Sequence, residues 1–138
     1  MHELEQLSDL IIEFYEKLSS WEQAVVRDSA ITLPQMHTLE ILGQQSPLRM
    51  KELAAKMGVT TGTLTVGVDR LEKLGLVARI PHETDRRSIL VTLTEAGQEL
   101  YREHHAHHLH LTRDLQSALT PEETAQLRAI LPKLTQAL

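Results

Sequence analysis

The chain contains no cysteine, so neither a disulfide nor a thiolate metal site is open to it. Aromatic side chains are nearly absent: one Trp, one Phe and two Tyr in 138 residues. Leu, Ile, Val and Ala must therefore build the interior. No apolar run approaches the roughly 20 residues of a membrane span, and no signal peptide follows Met1; a cytoplasmic location is the expectation. There is no nucleophile–base constellation and no phosphate-binding loop, so an enzyme is not expected. Internal repeats and low-complexity linkers are also missing. What remains is 41% hydrophobic and 24% charged, ordinary for a globular chain and long enough to bury a real core in one domain.

Positive charge is scarce overall, with a net charge of −5, yet it is unevenly spread. Residues 46–90 carry 8 Lys/Arg against 5 Asp/Glu, a local +3, and the rest of the chain carries −8. A nucleic acid responds to the local field, so a basic middle between acidic ends is compatible with binding phosphates.

Residues 4–27 place Leu4, Leu7, Leu10, Ile11, Phe14, Leu18, Trp21 and Val25 at helical spacing. Asp28, Ser29 and Ala30 interrupt that period. Thr32 is suited to cap a second helix with Pro34 in its first turn, and Met36, Leu39 and Leu42 give that helix its apolar face. Met50, Leu53, Ala54 and Met57 phase a short third helix over 50–57, which Gly58 ends in a left-handed cap. Thr60 caps a fourth helix running to about Lys73, with Leu64, Val68 and Leu71 buried, and Gly75 stops it. The period then changes: residues 76–80 and 88–93 read as two strands joined by a polar loop, 81–87. Thr94 caps a long fifth helix, and Thr120-Pro121-Glu122-Glu123 opens a sixth with acids at its positive dipole end.

Two short helices around a Gly-centred turn, followed by a two-stranded wing, form a winged helix-turn-helix. The second of these helices must lie in the major groove. Its outward face offers Thr61, Thr63, Thr65, Val66, Asp69 and Arg70. Threonine hydroxyls donate or accept, and good base contacts are each worth on the order of 1–3 kcal/mol of discrimination. Arg86 or Arg87 at the loop tip can enter a minor groove, where narrow A·T stretches concentrate negative potential, with Asp85 placed to pin a guanidinium. An amphipathic helical hairpin with a solvated charged loop is the plainer reading of the same periodicity.

The stretches Ile31-Thr-Leu-Pro-Gln-Met-His-Thr-Leu39, Glu52-Leu-Ala-Ala-Lys-Met-Gly-Val59, Asp69-Arg-Leu-Glu-Lys-Leu-Gly-Leu-Val77, Asp85-Arg-Arg-Ser88 and Leu93-Thr-Glu-Ala-Gly97 together resemble the MarR family of transcriptional regulators, from end to end of the chain. The resemblance implies a mainly α fold: a single domain over 1–138, with a winged helix-turn-helix lobe at about 33–94. It implies dimerisation helices at about 1–30 and 95–138. It also implies a homodimer on a pseudo-palindromic double-stranded DNA operator, with Arg87 in the minor groove and Asp85 orienting it. One departure stands out. Many members carry a basic residue where this chain has Val66, and Gly62 and Gly67 each weaken the helix by up to about 1 kcal/mol.

Five of the eight histidines fall in Glu103-His-His-Ala-His-His-Leu-His110 on the fifth helix. His104 and His108 are one turn apart and in phase with Ala96, Leu100, Leu111 and Leu115, so their rings can converge on one ion. His105, His107 and His110 point elsewhere. A polar surface helix is the plainer alternative, and Ala106 removes the base that a catalytic His-Glu-x-x-His motif needs. A zinc-responsive branch of the family, which represses metal-uptake genes, carries a similar His-rich helix. On matching positions, that likeness implies zinc ligands at Glu22, His37, His104 and His108. A second, weaker site matches Glu103 and Asp28, although one of its carboxylates has become Met36. Glu/His₃ suits a closed tetrahedral zinc site; nickel or copper would bind the same nitrogens.

The expectation is thus a dimeric DNA-binding repressor with zinc as co-repressor. Two alternatives stay open: a repressor released by a small aromatic or phenolic ligand, and a metal-buffering protein without DNA function.

Overall fold

A computed structural model describes residues 1–85 and 87–138. The chain forms six helices and three short strands among these residues: α1 His2–Arg27, α2 Leu33–Gln44, β1 Leu48–Arg49, α3 Met50–Met57, α4 Thr61–Lys73, β2 Val77–Pro81, β3 Ile89–Leu93, α5 Glu95–Ser117 and α6 Pro121–Ala137. None is long and apolar enough to cross a membrane. The chain divides into two compact units, Met1–Glu103 and His104–Leu138, and α5 begins in the first and ends in the second.

In the first unit threonines set the starts of α2 and α4. Thr32 Oγ1 accepts from the Gln35 amide at 3.3 Å while the Gln35 side chain accepts from the Thr32 amide at 3.0 Å, a reciprocal cap. Thr60 Oγ1 accepts from the Thr63 amide at 3.2 Å and opens α4. Gly58, at φ 69°, makes the turn between α3 and α4 in a conformation that costs a side-chain-bearing residue about 1–2 kcal/mol. The Thr60 cap, together with the left-handed turn at Gly58, fixes where α4 begins.

The core of this unit takes one stripe from each element: Met36, Leu39 and Leu42 of α2, Leu53 and Ala54 of α3, Leu64, Val68 and Leu71 of α4, and Val77, Val91 and Leu93 of the sheet. Burying each of the leucines contributes about 1.5–3 kcal/mol. These stripes are the ones the helical period predicts.

The sheet is antiparallel, in the order β1-β3-β2. Pairing of Val77 with Leu93 through Pro81 with Ile89 makes the expected hairpin. A third strand adds to the expected two-stranded wing: Leu48 and Arg49 pair with Val91 and Leu90. Two residues cannot show an alternating pattern, so β1 is invisible to periodicity and is made by tertiary pairing alone. Leu48 is buried by it.

Thr94 joins sheet to α5. Its Oγ1 donates to the Gly75 carbonyl at 2.6 Å and accepts from the Gly97 amide at 3.1 Å, and its own amide donates to the Leu76 carbonyl. Gly97 is required here, since a Cβ would collide with the Leu76 carbonyl oxygen.

Most of the apolar stripe of α1 is left uncovered by its own chain. Leu4, Leu7, Leu10, Ile11 and Phe14 are all more than half exposed, and Val26 is the buried residue of the helix. In the second unit, Thr120 and Glu123 form another reciprocal cap for α6. That helix leaves Leu127, Ile130, Leu131 and Leu134 exposed.

Candidate nucleic-acid interface and metal-ligand pairs

Helix α4 presents Thr61, Gly62, Thr63, Thr65, Val66, Asp69 and Arg70 to solvent, opposite its buried stripe. The hydroxyls on this face are not equivalent. Thr65 Oγ1 donates to the Thr61 carbonyl at 2.7 Å, which leaves its lone pairs for an incoming donor. Thr63 Oγ1 accepts from Thr60 Oγ1 at 3.1 Å and keeps its own proton to give. Val66 is 56% exposed.

Arg79 of β2 reaches α4 with both arms of its guanidinium: Nη2 to Asp69 Oδ1 at 2.7 Å and Nη1 to Glu72 Oε1 at 2.8 Å. The fork suits two carboxylates at once. It ties the wing strand to the recognition helix and neutralises two acids on an element that must approach phosphates. Sequence reading missed this role. An Arg between two apolar strand positions is a weak signal, because its partners lie seven and ten residues away.

In the loop between β2 and β3, Asp85 organises the turn. Its Oδ1 accepts from the Arg87 amide at 3.0 Å and its Oδ2 from Ser88 Oγ at 2.9 Å. These two hydrogen bonds, the Arg87 one foremost, hold its carboxyl below the usual carboxylate range. Partial desolvation opposes the shift, and the charge of Arg49 adds to it. His82 completes the loop: its Nδ1 accepts from the Thr84 and Asp85 amides at 3.2 and 3.1 Å. Arg87 is exposed, and Asp85 holds it through its backbone, with no ion pair between the two side chains among the described residues. Arg86, expected at the tip, lies outside the described residues.

The proposed metal ligands fall into two pairs, one in each unit. In the first unit, Glu22 of α1 and His37 of α2 bring Oε2 and Nε2 to 3.5 Å. Glu40, three residues after His37, places a carboxylate oxygen within 4.8 Å of one on Glu22. Residues three apart share a helix face, and a cavity of about 240 Å³ lined by His37, Glu40, Ile41, Gln44, Lys56 and Met57 opens beside them. Glu40 was absent from the sequence-based ligand set, although its spacing from His37 could have found it. In the second unit, His104 and His108 bring their Nε2 atoms to 3.0 Å, with ring centroids 4.7 Å apart. His104 is buried at 2% exposure, whereas His105, His107 and His110 are exposed. Of the second predicted site, Asp28 and Glu103 are both exposed, and Met36 lies in the core.

A recognition helix, a sheet-borne loop and an arginine clamp between them are the parts of a winged helix-turn-helix. The family model of that architecture, described as the MarR family, matches residues 31–89. A transcriptional regulator of Bacillus subtilis, YfiV, is 38% identical over 109 residues, covering 78% of this chain and 68% of the relative. The chain belongs to the MarR family. The transcriptional repressor MdtR of the same bacterium is 34% identical over 122 residues, covering 88% of this chain and 76% of MdtR. Among solved structures, the DNA complex of S. aureus MepR superposes with a TM-score of 0.76 at 26% identity, covering 95% of this chain and 96% of that one.

MarR-family membership makes this chain a DNA-binding transcriptional regulator rather than an enzyme, and double-stranded DNA its partner. The exposed face of α4 and the Asp85 loop are the surfaces that this activity needs.

Proposed function

We propose that the protein is a homodimeric repressor whose affinity for a pseudo-palindromic operator is raised by zinc. The observation that carries the zinc reading is the His104–His108 pair, a buried imidazole with its Nε2 atom 3.0 Å from that of a second, half-buried one. Two such nitrogens facing each other leave one proton for two lone pairs, an arrangement that a cation sharing both would relieve.

Glu22, His37, His104 and His108 would hold the ion. The donor set fits: three imidazoles and a carboxylate are zinc ligands of the usual kinds, and each half is drawn together within its own unit. Glu40 supplies a further oxygen beside Glu22. An ion held by these residues would link α1 and α2 to α5, and α2 contributes Met36, Leu39 and Leu42 to the core that also seats α4. Zinc then favours whichever arrangement of the reading lobes it binds more tightly, and by linkage the operator favours zinc.

Dimerisation is supported by the apolar faces that the single chain leaves bare. Leu4, Leu7, Leu10 and Phe14 on α1, and Leu127, Ile130, Leu131 and Leu134 on α6, are all at least 40% exposed. Such stripes mark an interaction surface, and a two-fold partner presents the same surface in return. MdtR, a similar chain, is named a repressor, and MepR is solved on DNA.

The test is operator affinity measured with zinc and with a chelator, for the wild type and for His104→Ala combined with His108→Ala. The expected result is zinc-dependent binding that the double variant loses. Equal affinities throughout would leave a DNA-binding protein without zinc control. The cavity beside His37 favours a second reading, a regulator released by a small aromatic carboxylate that Lys56 would attract. Release of the operator by such a compound, with no response to zinc, selects it.

A further inference from the structure

Helix α4 carries an apolar side chain where a groove reader has most use for hydrogen bonds. Val66 is 56% exposed among threonines, Asp69 and Arg70, and more than half of it is left uncovered by the described residues. An exposed valine in a protein that works in water gains from whatever apolar surface meets it. Across the major-groove edges of the four base pairs, the only apolar group on offer is the 5-methyl of thymine.

Gly62 supports the same assignment independently. It sits four residues before Val66, on the same face. A Cβ built there would meet only Thr60 Oγ1, at 3.9 Å, so no contact within the chain requires glycine. Helix α4 nevertheless carries a glycine in its first turn, at a cost relative to alanine below the roughly 1 kcal/mol of a helix interior. The consequence is a low strip of backbone one turn from the valine, where a base edge can approach closely. Val66 itself needs little ordering on contact, because a β-branched side chain in a helix holds one dominant rotamer. Thr65, whose hydroxyl is committed to the Thr61 carbonyl, stands beside it as an acceptor, suited to an amino group of adenine or cytosine.

We infer that Val66 is a specificity-determining residue that reads the thymine 5-methyl group, once in each half of the operator. The inference rests on the DNA-binding activity of the chain and holds whether or not zinc is the effector. It makes the half-site contain a thymine whose identity is sensed by burial of a methyl group and not by a hydrogen bond.

The experiment removes that methyl alone. A duplex selected by the full-length protein from randomised DNA, with zinc present, is remade with each thymine singly replaced by deoxyuridine. Binding is measured for wild type, Val66→Ala and Val66→Thr. The expected result is one position per half-site at which uracil weakens wild-type binding about fourfold, the effect of burying one methyl (~0.8 kcal/mol). Val66→Ala loses that sensitivity at the same position; Val66→Thr, which retains one methyl, keeps part of it. A wild type indifferent to uracil everywhere overturns the inference. So does a sensitivity that persists undiminished in Val66→Ala, which assigns the thymine to another residue. A protein that selects no duplex overturns the DNA reading itself.

Discussion

The Nε2 atoms of His104 and His108 face each other at 3.0 Å across one turn of α5. Two neutral imidazoles can share this geometry only if one donates the proton that the other accepts. A bound zinc ion would take a lone pair from each ring in place of that shared proton. Thermal unfolding should therefore respond to zinc: at a free concentration a hundred times the dissociation constant, binding to the native state adds about 2.7 kcal/mol. His104→Ala and His108→Ala should each abolish the rise in Tm, while His105→Ala and His107→Ala leave it intact. An equal response in all four variants would remove the pair from the site.

Glu40 is predicted to matter to the same ion. Its carboxylate lies within 4.8 Å of the Glu22 carboxylate, close enough for one oxygen of each to reach the same ion. Glu40→Gln should weaken zinc binding about tenfold, read by competition with a chromophoric chelator, and should raise the Tm of the zinc-free protein or leave it unchanged. Wild-type affinity in Glu40→Gln would confine the site to Glu22, His37, His104 and His108.

Arg79 clamps Asp69 and Glu72 with separate nitrogens. The pair is partly exposed, so its loss should cost only about 1 kcal/mol of stability. Its effect on DNA should be larger, because Arg79→Ala leaves two uncompensated carboxylates on the recognition helix. Affinity is expected to fall about tenfold, with the loss shrinking as salt screens the repulsion. Arg79→Lys should recover only part, since an ammonium cannot fork to two acceptors. A salt-independent loss would point to misfolding instead.

The Asp85 carboxyl is held below its ordinary value of 3.8, chiefly by the Arg87 amide and then by Ser88 Oγ. A depressed folded-state value means that the ionised form stabilises the folded loop. That contribution is present above 3.8 and is lost as pH falls through the lower folded value. The loop should therefore keep its order at neutral pH and lose it only in strong acid. An NMR titration of the Asp85 carboxyl carbon should give a midpoint below 3.8, which Ser88→Ala shifts upward. Asp85→Ala, which loses both hydrogen bonds that order the loop, should weaken operator binding about fivefold at pH 7.

What sequence made legible was local. Thr32, Thr60 and Thr120 each cap a helix through a residue three positions on, and Gly58 turns the chain within its own peptide group, so a short window contains cause and effect. The His104–His108 approach is of the same kind, one helical turn long. The features that escaped are made by distant pairing. β1 exists because Leu48 meets Val91, 43 residues later, and Arg79 acquires its role only when β2 docks on α4. Exposure of Leu4, Leu7 and Leu10 shows the converse: the helical period of α1 was read correctly, but a period cannot say whether its stripe meets its own chain or another.

Two glycines should respond to the same substitution with opposite signs. Gly67 lies in the interior of α4 with helical backbone, and a Cβ there meets nothing within 4 Å. Gly67→Ala removes unfolded-state freedom at no steric cost and should add about 0.5–1 kcal/mol. In a chain of this size that is roughly 2–5 °C in Tm. Gly97→Ala drives a methyl group onto the Leu76 carbonyl oxygen, which also accepts from the Thr94 amide. Neither partner is a flexible side chain, so the start of α5 must move away from the end of the recognition helix. The expected cost is about 1–3 kcal/mol, with a matching fall in Tm and weaker operator binding. If both variants moved Tm in the same direction, the close approach of Gly97 to Leu76 would not be what anchors α5.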